Sequence, residues 1–220
     1  MDAEPEIPLP RLAAFLRQHT HDVRNGLNAL DLETSFLQEL VTGDEARACL
    51  ARLRQQVRGL AGQLRATAAL FQDPQPCRAP LAARELLLIW REQHAALPEP
   101  PAVEWVDESG AAQVNVDAEM MAAVFRELLA NARAFHDGLP ATATVRHEGG
   151  EVVCELREPK AKPVDTADWG RQIFATTKRG GYGLGLWAAH RLIAANGATI
   201  THRHQPEDAA LHTRIALPAL

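Results

Sequence analysis

The sequence predicts an α+β protein in two parts: a long antiparallel helical hairpin, then a two-layer sandwich with helices on one face of a mixed sheet. Three observations carry this. Apolar residues recur at steps of three and four almost without interruption from Leu12 to Phe71. A stretch with three prolines, "QDPQPCRAP", then breaks the pattern. Strand-type and helix-type patterns alternate for the rest of the chain. The expected divisions are residues 1–73 for the hairpin, 74–80 for a linker and 81–220 for the sandwich.

The first helix buries a stripe of Leu12, Leu16, His19, Val23, Leu27, Leu30, Thr34, Leu37 and Val41. In "TGDE", Gly43 suits a helix C-terminus and Asp44 the next N-cap. The second helix carries a heptad seam of Ala46, Leu50, Leu53, Val57, Leu60, Leu64, Thr67 and Phe71, the pattern of helices packed nearly side by side. A lone hairpin leaves much of this surface wet, so two copies are expected to close a dimeric four-helix bundle. Prolines end the helix at the linker because they lack the amide donor. Beyond it, "LAARELLLIWREQHAAL" reads as a helix, and "AVEWVDES" and "AAQVNVD" as strands. "DAEMMAAVFRELLANARAF" reads as a helix capped by Asp117. "ATATVRHEGGEVVCELRE" is a hairpin turning at Gly149 and Gly150. "GLGLWAAHRLIAANG" is a helix ending at Gly197, and "ATITHRH" with "LHTRIALP" is a closing strand pair.

Composition narrows the class. The chain has 220 residues, 46% of them hydrophobic, and a net charge of −5 from 23 basic and 28 acidic residues. That balance gives no reason to expect nucleic acid or an anionic membrane as partner. The three cysteines, Cys49, Cys77 and Cys154, are scattered and lack metal-ligand spacing, so they read as free thiols of a reducing compartment. No secretory signal or membrane span is visible, and a cytoplasmic location is expected. Trp90, Trp105 and Trp187 read as packing residues. Arg52, Arg54, Arg58 and Arg65 flank the second seam and read as mostly solvated. His202 and His204 share one face of a strand without an evident third ligand.

The first helix contains two histidines in "QHTHDVRNGLNALDL". At 100° per residue, His19 falls on the apolar stripe and His21 points away from it. His19 therefore reads as a packing residue at the bundle edge. Asp22 adjoins His21, and Asn25 lies one turn on. A neighbouring carboxylate that takes the δ proton fixes the tautomer and leaves the other ring nitrogen as the better nucleophile.

"HDVRNGLNAL" resembles the phosphoacceptor box of two-component sensor histidine kinases, at His21, Asp22, Arg24, Asn25 and Leu27. Gly26 stands where that family usually has proline. "ELLANARAF" resembles the family's ATP-domain helix motif at Glu127, Leu128, Leu129, Asn131 and Ala132. "IFATTKRGGYGLGL" is similar to its segment running from a phenylalanine box into a glycine box. The three occur in the family's order and the resemblance covers residues 12 to 218. It implies a sandwich of the histidine-kinase ATPase type. It makes His21 the phosphoacceptor and Asp22 the general base. It implies that Asn131 ligands Mg²⁺, Glu127 acts near the γ-phosphate and Phe174 anchors a lid. Gly181, Gly183 and Gly185 would let the backbone approach phosphates. Lys178 would reach phosphate or lie in solvent.

One box departs from the family. Where kinases carry Asp-x-Gly-x-Gly, this chain reads "REPKAKP". Glu158 stands at the position of the Asp that accepts from the adenine amino group. Lys160 and Lys162 replace both glycines. A side chain in left-handed backbone costs roughly 1–2 kcal/mol, and a hydrogen bond to a charged group contributes about 1.5–3 kcal/mol. The two lysines either contribute charge toward phosphates or are simply solvated. The lid, residues 163–173, is short.

Three functions follow as expectations. The first is a kinase that uses ATP and Mg²⁺ to phosphorylate His21 and passes the phosphoryl group to an aspartate of a response-regulator receiver domain, with a separate sensor protein supplying its input. The second is an ATP-independent histidine phosphotransferase between receiver domains. The third is a non-catalytic scaffold that docks a receiver. The kinase is the reading to which the sequence leans.

Overall fold

The computed structural model describes residues 9–174, 176 and 182–220. The chain forms two compact units, one through Asp73 and one from Pro74 to Leu220. The first is a hairpin of α1 (Leu9–Leu40) and α2 (Asp44–Leu70). Gly26, which lacks the proline kink, leaves α1 unbroken. At the turn, Gly43 is the N-cap of α2 in extended backbone, and Asp44 is the first helical residue, not the cap. Asp44 and Glu45 still face the positive end of the helix dipole. Arg47 Nε donates to the Val41 carbonyl at 2.8 Å and satisfies the end of α1.

The hairpin buries Ala13, Thr34, Val57, Ala68 and Phe71. A polar layer crosses it at mid-length. Asp31 accepts from Arg54 Nε at 2.9 Å and Arg58 Nε at 3.2 Å. The Arg54 bond holds the Asp31 carboxyl below its ordinary range. Arg54 is thus half-buried in a cross-helix pair, whereas Arg52, Arg58 and Arg65 are exposed, as expected of mostly solvated arginines. Charge pairs of this kind favour one helix register over its neighbours. The heptad seam is only half consumed: Val57 is 7% exposed, whereas Leu53 is 44% and Leu60 56% exposed. Leu30 and Leu37 of α1 are likewise uncovered.

The second unit contains β1 (Ala79–Ala82), α3 (Ala83–Ala95), β2 (Val103–Glu108), β3 (Gln113–Val116), α4 (Ala118–Ala134), β4 (Ala141–Glu148), β5 (Glu151–Pro159), α5 (Gly185–Ala195), β6 (Thr199–Gln205) and β7 (Ala210–Pro218). The main sheet is five-stranded in the order β2-β4-β5-β7-β6. Among the described residues only β2 and β4 pair in parallel. The adjacent strand patterns β2 and β3 do not pair with each other; β3 joins β1 in a separate two-stranded ribbon. The helices cover one face, as the α+β reading predicts. Ala143, Val145, Val152, Cys154, Leu156, Ile215 and Leu217 line that face. Against them Trp90 stacks on Phe125 with ring centroids 4.5 Å apart. Gly149 and Gly150 have φ of 59° and 83°, which the tight β4–β5 turn requires.

Asp117 does more than cap α4. It accepts from Met120 N at 2.9 Å and from Cys77 N at 2.7 Å, while its own amide donates to Asn196 Oδ1 at 2.7 Å. One side chain therefore ties the segment before β1 to α4, and its backbone ties α4 to the end of α5.

Candidate functional site

On α1, His21 is exposed, with 67% of its side chain accessible. Asp22 Oδ1 lies 3.3 Å from His21 Nδ1, and Asn25 Nδ2 lies 3.4 Å from the same nitrogen. Nδ1 cannot donate to one and accept from the other at once. The carboxylate contact is shorter and charge-assisted, which favours Nδ1–H donating to Asp22. Nε2 then carries the free lone pair. Gln18 Nε2 donates to Asp22 Oδ1 at 3.0 Å and steadies the acid. The bonds from His21 and Gln18 keep the Asp22 carboxyl below its ordinary range, so it is ionised near neutrality. His19 is exposed in this chain and stacks on Phe15, with ring centroids 5.7 Å apart.

In the sandwich, Glu127 and Asn131 lie one turn apart on α4, and Asn131 Nδ2 donates to Glu127 Oε1 at 3.1 Å. Glu127 reaches the first turn of α5. A Cβ added at Gly185 would fall 2.0 Å from Glu127 Oε1, so only glycine permits this approach. Gly183, with φ of 64°, accepts the Phe174 amide at 3.1 Å. Glu127 thus links Asn131 to the N-terminus of α5, where backbone amides and the dipole favour anions. Phe174 is 57% exposed, and its amide donates to the Gly183 carbonyl. Lys178 and Gly181 lie outside the described residues.

Glu158 is at the end of β5, on the helix-covered face, and is only 8% exposed. Lys160 is not solvated. It is 6% exposed, its Nζ lies 3.2 Å from Glu158 Oε2, and it donates to the Phe135 carbonyl at 2.6 Å. Burial pushes the Glu158 carboxyl up, and the Lys160 charge opposes that shift. Lys162 is exposed, as expected of a solvated lysine.

The resemblance implies an adenine nucleotide with Mg²⁺. The resemblance assigns Gly183, Gly185, Asn131 and Glu127 to the phosphates and their metal, and of these Glu127 meets both Asn131 and Gly185. At the base end, the carboxylate that would accept an amino group already holds an ammonium.

A further cluster was invisible to local spacing. His190 of α5 and His202 of β6 approach Nε2 to Nε2 at 3.0 Å, and His202 Nδ1 lies 2.9 Å from Thr213 Oγ1. Trp169 meets the His202 ring edge-on at 5.2 Å, and Thr166 Oγ1 donates to the His202 carbonyl at 3.0 Å. Burial drives the His202 imidazole down to about 4, and it lowers His190 as well. This cluster fastens the segment before Phe174 to the sandwich. No group of three or more His, Cys, Asp or Glu able to hold a metal ion occurs among the described residues.

No helix of the described residues is long and apolar enough to cross a membrane. No family model matches the sequence, and no curated protein sequence matches it. Solved structures do match. Full-length ShkA in complex with AMPPNP has 18% identity and a TM-score of 0.65, covering 94% of this chain but 46% of that one. The chain thus spans less than half the length of ShkA. Acinetobacter baumannii histidine kinase AdeS has 14% identity and a TM-score of 0.52, covering 90% of this chain and 97% of that one. The mycobacterial sensor histidine kinase MprB has 15% identity and a TM-score of 0.50, over 64% of this chain and 97% of that one. The architecture built above, a helical hairpin and a mixed α/β sandwich, is accordingly the fold of histidine kinases and their ATPase domains.

Proposed function

We propose that this chain is a two-component phosphotransfer protein in which His21 accepts a phosphoryl group and hands it to an aspartate of a receiver domain. The observation that carries this is the exposed imidazole whose Nδ1 faces an ionised carboxylate at 3.3 Å. A packing or scaffold residue has no use for that arrangement. The step balances simply. When the donor is an aspartyl phosphate, the Nε2 lone pair attacks phosphorus. The P–O bond to the carboxylate breaks, and its electron pair stays on that carboxylate. Asp22 holds the Nδ1 proton and offsets the positive charge gained by the ring. Delivery to the next receiver is the reverse. The relay reading needs no nucleotide, and the Lys160 ammonium on Glu158 favours it.

A kinase fed by ATP is the second reading, favoured by Glu127 linking Asn131 to the start of α5. In both readings we propose that the exposed Leu30, Leu37, Leu53 and Leu60 are covered by a second copy of the hairpin. Sedimentation tests that assembly.

The deciding experiment offers the protein radiolabelled phosphoreceiver domains in one arm and γ-labelled Mg–ATP in another. Base-stable, acid-labile label on His21 from phosphoreceivers supports the relay, and label from ATP supports the kinase. No label from either, or label that survives His21→Gln, refutes both.

A further inference from the structure

Lys160 is held as a bridge, unlike an ordinary loop lysine. Its ammonium joins the carboxylate at the end of β5 to the Phe135 carbonyl, and Phe135 is the C-cap of α4. A cation is favoured there, because the last carbonyls of a helix carry its negative end. The backbone is fastened on both sides: Lys160 N donates to the Ala209 carbonyl at 2.7 Å, and Ala161 N donates to Asp137 Oδ2 at 2.8 Å. Burying an ammonium is costly unless its hydrogen bonds are made, and here two are. The bridge also occupies a defined role. A buried carboxylate on this face of the sheet offers an acceptor, and an exocyclic purine amino group is an N–H donor of the kind it would take. Lys160 supplies that donor from within the chain.

We propose that Lys160 is a built-in competitor for the base end of the sandwich, so that its Nζ and an adenine amino group are alternative partners of Glu158 and its release governs affinity for adenine nucleotides. The proposal rests on reading the sandwich as a nucleotide-type domain and is independent of His21. A ligand that needs a scarce open form binds more weakly by the fraction of molecules that are open. Removing the competitor is expected to tighten binding by about tenfold or more.

The test is calorimetric titration of Mg–ADP, Mg–AMPPNP and, as a base control, Mg–GDP into the full chain. The proteins compared are the wild type, Lys160→Gly, Lys160→Ser, and the double variant Glu158→Gln with Lys160→Ala. The double variant removes both buried charges together and leaves an amide oxygen able to accept. Thermal melting confirms which variants are folded. Tighter binding of adenine nucleotides than in the wild type, with adenine preferred over guanine, supports the proposal. Equal affinity in wild type and variants, including no binding in any, overturns it. So does indifference to the base. Unfolding of every variant also overturns it, because the pair is then a requirement of the fold and not a replaceable occupant. Binding does not depend on His21, so failure of phosphotransfer labelling leaves this result untouched, and the converse holds.

Discussion

Gly170 makes a sharp test of how the segment before Phe174 is held. Its φ is 71°, and a Cβ added there would lie 2.1 Å from Cδ2 and 2.2 Å from Nε2 of His190. The obstacle is a ring with its own partner, not the loose end of a side chain. Gly170→Ala therefore costs roughly 1–2 kcal/mol for the left-handed backbone. Displacing the ring forfeits the His190–His202 bond, about 1 kcal/mol. Restricting the unfolded chain returns about 0.4–1 kcal/mol. The net loss is about 2 kcal/mol, which for a chain of this size lowers Tm by roughly 4–8 °C.

A second readout is the His202 titration, followed by NMR. In the folded wild type it sits near 4 instead of 6.5, because the ring is buried, with His190 beside it. The unfolded chain therefore binds a proton that the folded one refuses. The stability tied to this group is complete above the unfolded value and falls as the pH drops toward 4, by about 3 kcal/mol in all. Gly170→Ala is expected to move His202 back toward 6.5 and to flatten the acid side of the stability profile. An unchanged Tm together with an unmoved His202 titration would refute the packing argument.

The remaining predictions are of smaller scope. His21→Gln abolishes phosphoryl acceptance and leaves the melting curve within about 0.5 kcal/mol of wild type, because the side chain is exposed; a large drop in Tm would give the residue a structural role. Asp117→Ala removes a cap and a tie to Cys77 N, and it lowers stability to urea by about 2 kcal/mol. Burial alone would raise the Asp117 carboxyl, but backbone donors from Met120, Cys77 and Glu119 hold it below its ordinary range. Its contribution is thus present above the unfolded value and is lost as pH falls through the folded one. Alkylation of the native protein at mildly alkaline pH modifies Cys49 and Cys77, which are exposed. It spares Cys154, whose thiol burial pushes up to about 12; mass spectrometry reads the difference, and three adducts on the folded chain would contradict the buried position.

The hairpin was legible because it is local. A repeat of three and four residues places Leu50, Val57, Leu64 and Phe71 on one stripe whatever the rest of the chain does. The α4 helix was equally legible, since its cap and its apolar face lie within one continuous stretch. His21, Asp22 and Asn25 were readable for the same reason: Asp22 adjoins His21 in the chain, and helical geometry alone decides that residues four apart share a side. Partners brought from distant strands were not readable. The pattern shows two strands at "AVEWVDES" and "AAQVNVD" but not that they belong to different sheets, because the pairing energy comes from β4 and β1. Nor does it show that Arg54 and Arg58 converge on Asp31.

What the sequence determined by itself was the class of fold, the order of its elements and the grouping of His21 with Asp22 and Asn25, all set by periodicity within single elements. The tertiary structure alone decided the fate of Glu158. As sequence, Lys160 was one of two lysines in a proline-flanked loop. As structure, it is buried and its ammonium lies between a carboxylate and the end of α4. The reason is physical. A buried charge is tolerated only where oppositely charged and hydrogen-bonding groups converge, and here those groups come from a strand and a helix that only the folded chain brings together.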